Sequence, residues 1–164
     1  MIRSSATGPL FLLVLALLLS CGSDRPRAYD LVIERPSNKV EEEALRLFSN
    51  YLPEIENQVT EVKFIRLISG DLNADSRTDA IVEFGKGLPG ANGITIKEAA
   101  IYIQEKDQLA VWGAFEPEFC FNILRIQDSK LFVQELDACM TPHPEVIAVH
   151  SFQLVNNHFE LIQD

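Results

Sequence analysis

From Val59 to Ile162 the chain is a succession of short segments rich in β-branched and aromatic residues: Val59–Ile68, Ala80–Phe84, Ala99–Gln104, Leu109–Phe115, Phe119–Ile126, Leu131–Leu136, Val146–Val155 and His158–Ile162. Brief polar breaks at Glu105–Gln108, Gln127–Lys130 and Asn156-Asn157 separate several of them. Strands that follow one another through turns this short pair antiparallel, and Asn-Asn readily takes the positive φ of a tight hairpin. Upstream the period changes. Asn38 is placed as an N-cap, with Glu41 three residues later as in a capping box. Val40, Ala44, Leu47, Phe48, Tyr51 and Leu52 then form one helical stripe, opposite Glu41, Glu42, Glu43, Arg46 and Asn50, and Pro53 ends the helix. The expected fold class is α+β: one N-terminal helix packed on a predominantly antiparallel β-sheet, a meander, forming a single domain over residues 38–164. The 164 residues, 47% hydrophobic and 23% charged, supply one core and exclude a disordered chain. A net charge of −10 excludes nucleic acid as a partner, because phosphate binding needs clustered Lys and Arg.

The first residues carry a different message. Arg3 is the one charge before an uninterrupted apolar run, Leu10–Leu19. That run is about half of the ~20 residues that cross a bilayer, and it has no polar face, so it reads as an export signal over residues 1–20. It ends in Leu18-Leu19-Ser20-Cys21. This sequence resembles the lipobox of bacterial lipoproteins, an aliphatic residue three before a cysteine and a small residue immediately before it. The resemblance implies that Cys21 is acylated with fatty chains such as palmitate, and that the chain is cut before it and held on a membrane. Two or more acyl chains anchor stably where one does not. Gly22, not Asp, follows the cysteine; by analogy with enteric bacteria this favours the periplasmic side of the outer membrane over the inner membrane. Residues 21–37 read as a lipid-anchored tether, with Asp30–Glu34 as an edge strand.

One motif carries chemistry. In Gly70-Asp71-Leu72-Asn73-Ala74-Asp75-Ser76-Arg77-Thr78-Asp79, oxygen side chains at Asp71, Asn73, Asp75 and Asp79 occupy loop positions 1, 3, 5 and 9. The backbone carbonyl of Arg77 falls at position 7. Calcium takes about six to eight oxygens at flexible geometry, and this spacing wraps five around one point. Val82 at position 12 excludes a helix-flanked EF-hand, which ends in glutamate. The segment resembles the calcium loops of FG-GAP and VCBS repeats, G-D-x-N-x-D-G-x-x-D before an apolar strand, which implies Ca2+ as cofactor. One departure is Ser76, where the family has glycine; a serine there accepts strain or a relaxed turn. The alternative is an Asx-rich connection held by its own side-chain bonds. More loosely, the order of this loop, a glycine-rich stretch and late cysteines is similar to that of small uncharacterised bacterial envelope proteins. That likeness implies a shared fold and no activity.

Cys120 and Cys139 remain once Cys21 is acylated, and outside the cytosol such a pair oxidises to a disulfide. A hairpin centred on Asp128-Ser129 sets Cys120 opposite Asp137, one diagonal step from Cys139. The rivals are a zinc site of Cys120, Cys139 and His143, which shows only three ligands, and two free thiols. The stretch Gly85-Lys86-Gly87-Leu88-Pro89-Gly90-Ala91-Asn92-Gly93 contains G-x-G-x-x-G, but no helix pattern comes after it, so no nucleotide is expected. It reads instead as a flexible loop available to an envelope protein partner. No G-x-S-x-G or H-E-x-x-H is present. His150 alternates with apolar residues as a packed or edge histidine. These readings point to a cell-envelope lipoprotein with a non-enzymatic structural or binding role and one calcium-stabilised loop. Two alternatives stand beside it. One is an inhibitor or assembly accessory acting through residues 85–93; the other, less favoured, is a metal-dependent envelope hydrolase using Asp71, Asp75 or Asp79.

Overall fold

The computed structural model describes residues 31–139, 141 and 143–162, so the export signal, Cys21 and most of the tether lie outside the described residues. Among the described residues nine strands and two helices run in order: β1 (Val32–Ile33), α1 (Lys39–Ser49), α2 (Leu52–Ile55), β2 (Glu61–Gly70), β3 (Asp79–Gly87), β4 (Ile96–Glu105), β5 (Gln108–Phe115), β6 (Cys120–Gln127), β7 (Lys130–Leu136), β8 (Val146–Val155) and β9 (His158–Ile162). They build two sheets, β1-β2-β3-β4-β5 and β6-β7-β8-β9, antiparallel throughout except that β1 lies parallel to β2.

The α+β expectation of one sheet carrying a packed helix is therefore corrected. The chain is mostly β, 53% strand against 12% helical, and the meander is divided between two sheets. The physical reason lies in β3. Every residue from Asp79 to Gly85 is buried, so the first sheet hides both faces, and one eleven-residue helix covers only one of them. Ala80, Val82 and Phe84 pack with Ala44 and Phe48 of α1, where the Phe48 and Phe84 rings stand 4.8 Å apart. Ile81, on the other face, joins Ile68, Ile101, Ile103 and Phe115 against Phe121, Ile123, Leu131 and Val133 of the second sheet. Phe115 is the hinge of that layer: its ring meets those of Phe121, Phe152 and Phe159 edge-on at 5.1–5.5 Å. Such pairs add about 0.5–1.5 kcal/mol each beyond area burial. The meander breaks at Glu116-Pro117-Glu118-Phe119, where proline offers no N–H to continue a ladder.

Two local details also differ. Near its turn the β6–β7 hairpin keeps the expected register, Gln127↔Lys130 and Arg125↔Phe132. A bulge between Ile123 and Arg125 then inserts Leu124, so Cys120 faces Leu136, not Asp137. In α1 the Asn38 side chain accepts from the N–H groups of Val40 and Glu41, both at 3.0 Å. Glu41, expected among the solvated residues, is buried. It reaches the Ser37 N–H at 2.6 Å and accepts from the hydroxyls of Ser37 and Ser69 at 2.7 and 2.8 Å, tying the helix start to β2. Burial pushes its carboxyl up, but the hydrogen bonds from Ser37, Ser69 and Asn38 outweigh this and hold it below the usual range.

Candidate functional site

The acidic loop spans the β2–β3 connection, where Gly70 pairs with Asp79. Its side chains mostly bond the loop itself. Asp71 accepts from the N–H of Asp75 at 3.2 Å and of Ser76 at 2.9 Å, and Asn73 Oδ1 accepts from the Asp75 N–H at 3.1 Å. Asp75 takes the Arg77 N–H and, through Oδ2, the Arg77 Nε, both at 2.9 Å. The Arg77 guanidinium holds the Asp75 carboxyl below its ordinary range. Ser76 has φ 65° and Ala74 φ 63°, so the serine takes the left-handed conformation that glycine supplies in the resembling family, accepting strain there instead of relaxing the turn.

Asp79 has a different task. It is 0% exposed, and its two oxygens accept from the N–H of Leu72 at 2.8 Å and of Gln104 at 2.9 Å, locking the loop onto β4. Burial pushes its carboxyl up, and the negative charges of Asp75 and Asp71 add to that. The donor chemistry suits a hard cation: carboxylates, one amide oxygen and one backbone carbonyl within nine residues. The arrangement itself is closed, with Arg77 as the positive charge on Asp75, and among the described residues no group of three or more His, Cys, Asp or Glu side chains converges closely enough to hold a metal. A calcium ion at this loop would use Asp71, Asn73, Asp75, Asp79 and the Arg77 carbonyl, and Asp75 would have to release the Arg77 side chain.

Cys120 and Cys139 are joined as a disulfide, with Cα atoms 5.4 Å apart. No thiolate is left there for zinc, so the grouping with His143 has lost two of its three ligands. The bridge ties the start of β6 to the β7–β8 connection, whose ends are closed by Asp137 and Glu145. The Asp137 N–H donates to the Glu145 carbonyl at 3.0 Å, and the Glu145 N–H to Asp137 Oδ1 at 2.9 Å. His150 packs beside Phe119, with ring centroids 5.2 Å apart, and its Nε2 lies 2.7 Å from Glu135 Oε2.

Of the Gly85–Gly93 stretch, Gly85, Lys86 and Gly87 are the end of β3, and a tight turn follows them. Leu88-Pro89-Gly90-Ala91 closes with the Ala91 N–H on the Leu88 carbonyl at 3.1 Å, proline second and Gly90 third at φ 75°, the pattern of a type II turn. The Gly90 N–H reaches Glu61 Oε2 at 3.1 Å, and the Thr95 N–H reaches the Lys86 carbonyl at 2.7 Å. Beyond the turn the chain runs into β4, not into a helix.

Sequence reasoning missed one cluster. Glu83, 1% exposed on β3, accepts from Arg66 at 2.7 Å and from the Ile123 N–H at 3.1 Å, with Lys97 Nζ 3.9 Å away. Lys97 also bonds Asn122 and stands 5.4 Å from the centroid of the Phe64 ring. Burial pushes its ammonium down despite the attraction of Glu83. The group fastens the first sheet to the backbone edge of β6. Its signal in the sequence is a lone acid inside the apolar run Ala80-Ile81-Val82-Glu83-Phe84.

An apolar recess of about 210 Å³ also opens between the helices and β4–β5, lined by Phe48, Tyr51, Ile55, Ala100, Tyr102 and Val111. Comparison with protein-family models, with curated proteins and with solved structures found no match to this chain.

Proposed function

We propose that this chain is an acylated lipoprotein of the bacterial cell envelope, held through Cys21, whose β-rich body serves as a non-enzymatic structural or binding module. The observation that carries the reading is the uninterrupted Leu10–Leu19 run ending in Leu18-Leu19-Ser20-Cys21. The Cys120–Cys139 disulfide supports it independently, because such bonds persist in the oxidising space outside the cytosol. No described helix is long and apolar enough to cross a membrane. Calcium at the 71–79 loop is part of the same proposal. It is supported by the spaced oxygens, by the left-handed Ser76, and by the mutual charge of Asp71, Asp75 and Asp79.

Intact-mass measurement of the protein from a bacterial host tests the anchor. A chain that begins at Cys21 and carries diacylglyceryl and acyl groups is the expected product; an unmodified chain beginning at Met1 ends the reading. Thermal melts in millimolar calcium and in chelator test the loop. The melting temperature rises with calcium if the ion displaces Arg77 from Asp75, and coincident melts leave a plain Asx-rich turn.

A further inference from the structure

The helix-covered face of the first sheet is not covered to its edge. Ala44 and Phe48 of α1 pack over β3, and the cover ends above β4 and β5, where Tyr51 and Val111 stand 43% and 48% exposed. Beneath that rim the side chains are small. Ala100 pairs with Ala114 directly across the ladder, between the pairs Phe84↔Glu98 and Tyr102↔Val111. Residues opposite one another share a face, so two methyl groups floor the recess of about 210 Å³ where longer side chains would close it.

Tyr102 gives this hollow its polar end. The residue is 1% exposed, and its hydroxyl has no hydrogen-bond partner among the described residues. Arg66 Nε is the one described side-chain polar atom that is both sealed from solvent and unpartnered. The Tyr102 oxygen therefore keeps the small exposure left to its residue, and the recess that Tyr102 lines is where it opens. Burial and the neighbouring Tyr51 push its ionisation up, so the group stays a neutral phenol able both to donate and to accept. A phenol buried without a partner gains free energy when a bound polar group supplies one.

The charges around the hollow have one sign. Glu54 and Glu98 are the charged residues in its lining, and no cation among the described residues lines it. Glu98 is held by Lys86, and Glu54 is exposed beside the mouth. The walls are aromatic, with Phe48, Tyr51 and Phe84 in addition to Tyr102, and such rings favour both an aromatic guest and a cation. Size sets the scale: a cavity of about 150 Å³ accommodates benzene, so this one holds a ring and a few further atoms. An anion meets like charge here, and a purely apolar guest leaves the Tyr102 hydroxyl unsatisfied.

We infer that the recess between the helices and β4–β5 is a binding site for a small aromatic amine in its ammonium form. The ring lies on the Ala100–Ala114 floor, a hydroxyl or similar polar group meets the Tyr102 hydroxyl, and the ammonium faces Glu54 and Glu98. The site uses neither the lipid anchor nor the acidic loop, and it stands whether or not Cys21 is acylated.

The full chain is titrated calorimetrically at pH 7 with four probes of one shape. They are tyramine, phenethylamine (which lacks the hydroxyl), 4-ethylphenol (which lacks the ammonium) and 3-(4-hydroxyphenyl)propanoate (which carries a carboxylate instead). Tyramine is expected to bind saturably, one per chain, about threefold or more tighter than phenethylamine and about tenfold tighter than the propanoate. Tyr102→Phe keeps the fold, because the hydroxyl it removes has no partner, and should abolish the preference for tyramine over phenethylamine. Glu54→Gln should weaken tyramine about twofold and leave 4-ethylphenol unchanged. Ala100→Leu fills the floor and should remove binding altogether. An absence of saturable tyramine binding overturns the inference, as does equal affinity for the propanoate. A Tyr102→Phe chain that still prefers tyramine overturns it too. So does tyramine binding that survives Ala100→Leu, because the ligand then lies elsewhere.

Discussion

Replacing Asp79 is the sharpest test of what the acidic loop is for. Both carboxylate oxygens of this fully buried side chain accept backbone N–H groups, that of Leu72 at 2.8 Å and that of Gln104 at 2.9 Å. Asp79→Ala removes both acceptors, and a buried donor left unsatisfied costs about 1–3 kcal/mol. The Gln104 N–H is only partly buried and belongs at the low end of that range, and the burial cost of the aspartate charge offsets part of the loss. A destabilisation of about 3 kcal/mol is expected for the alanine variant. Asp79→Asn keeps one acceptor and turns an amide donor toward the other N–H, so it should cost about half as much. Urea unfolding followed by the emission of Trp112, the single tryptophan, measures both in excess chelator. An alanine variant within about 0.5 kcal/mol of the parent, or an asparagine variant as costly as alanine, would refute the assignment of Asp79 as an acceptor of two amides. Repeating the series in calcium adds the ion's contribution, which is present only if the loop binds it.

Four further outcomes are expected. Cys120→Ser with Cys139→Ser removes a bridge across a sequence separation of 19 and should lower stability by about 3 kcal/mol in urea unfolding, with the parent unchanged by oxidant. Glu83→Ala leaves Arg66 and Lys97 facing each other without their anion and should cost about 3–5 kcal/mol, whereas Glu83→Gln retains an acceptor for Ile123 and costs less in the same assay. Gly87→Ala sets a Cβ 2.1 Å from the Gly93 carbonyl oxygen and should lower the melting temperature, while Gly113→Ala meets nothing within 4 Å and should leave it nearly unchanged. Glu41 titrates below its ordinary 4.5 in the folded chain, so its ionised form stabilises above that pH and the benefit fades as pH falls through the folded value. The stability gap between the parent and Glu41→Gln should therefore be full at pH 7 and shrink below pH 4.5.

Features governed by near neighbours in the chain were legible. Asn38 caps its helix, and the Asn156-Asn157 and Asp128-Ser129 turns take positive φ at both residues, as short polar breaks between apolar strands lead one to expect. The α+β assignment failed because alternation and turn length say which strands are consecutive and not which sheet a strand joins. Pro117 was the local mark of the change, and the continuous burial of Asp79–Gly85 was the sign that a second layer had to cover the first sheet. The Leu124 bulge moved Cys120 by one residue, a displacement that leaves no mark in the apolar pattern of Phe119–Ile126. The charges of Glu41 and Glu83 suggest exposure, yet both are buried by partners distant in sequence, Ser69 for one and Ile123 for the other. In the acidic loop, spacing located the oxygens but could not reveal that Asp79 points its own at Leu72 and Gln104.

Each sheet is also an unbroken stretch of chain: the strands up to Phe115 belong to one and those from Cys120 to the other. A polypeptide emerging by its leading end can thus zip each ladder from adjoining hairpins, with little loop entropy to overcome before the two halves collapse together. The sulfur crosslink falls wholly inside the later half, so oxidation needs no help from the earlier one, and a mispaired bridge between the halves has no cysteine among the described residues of the first half to form it.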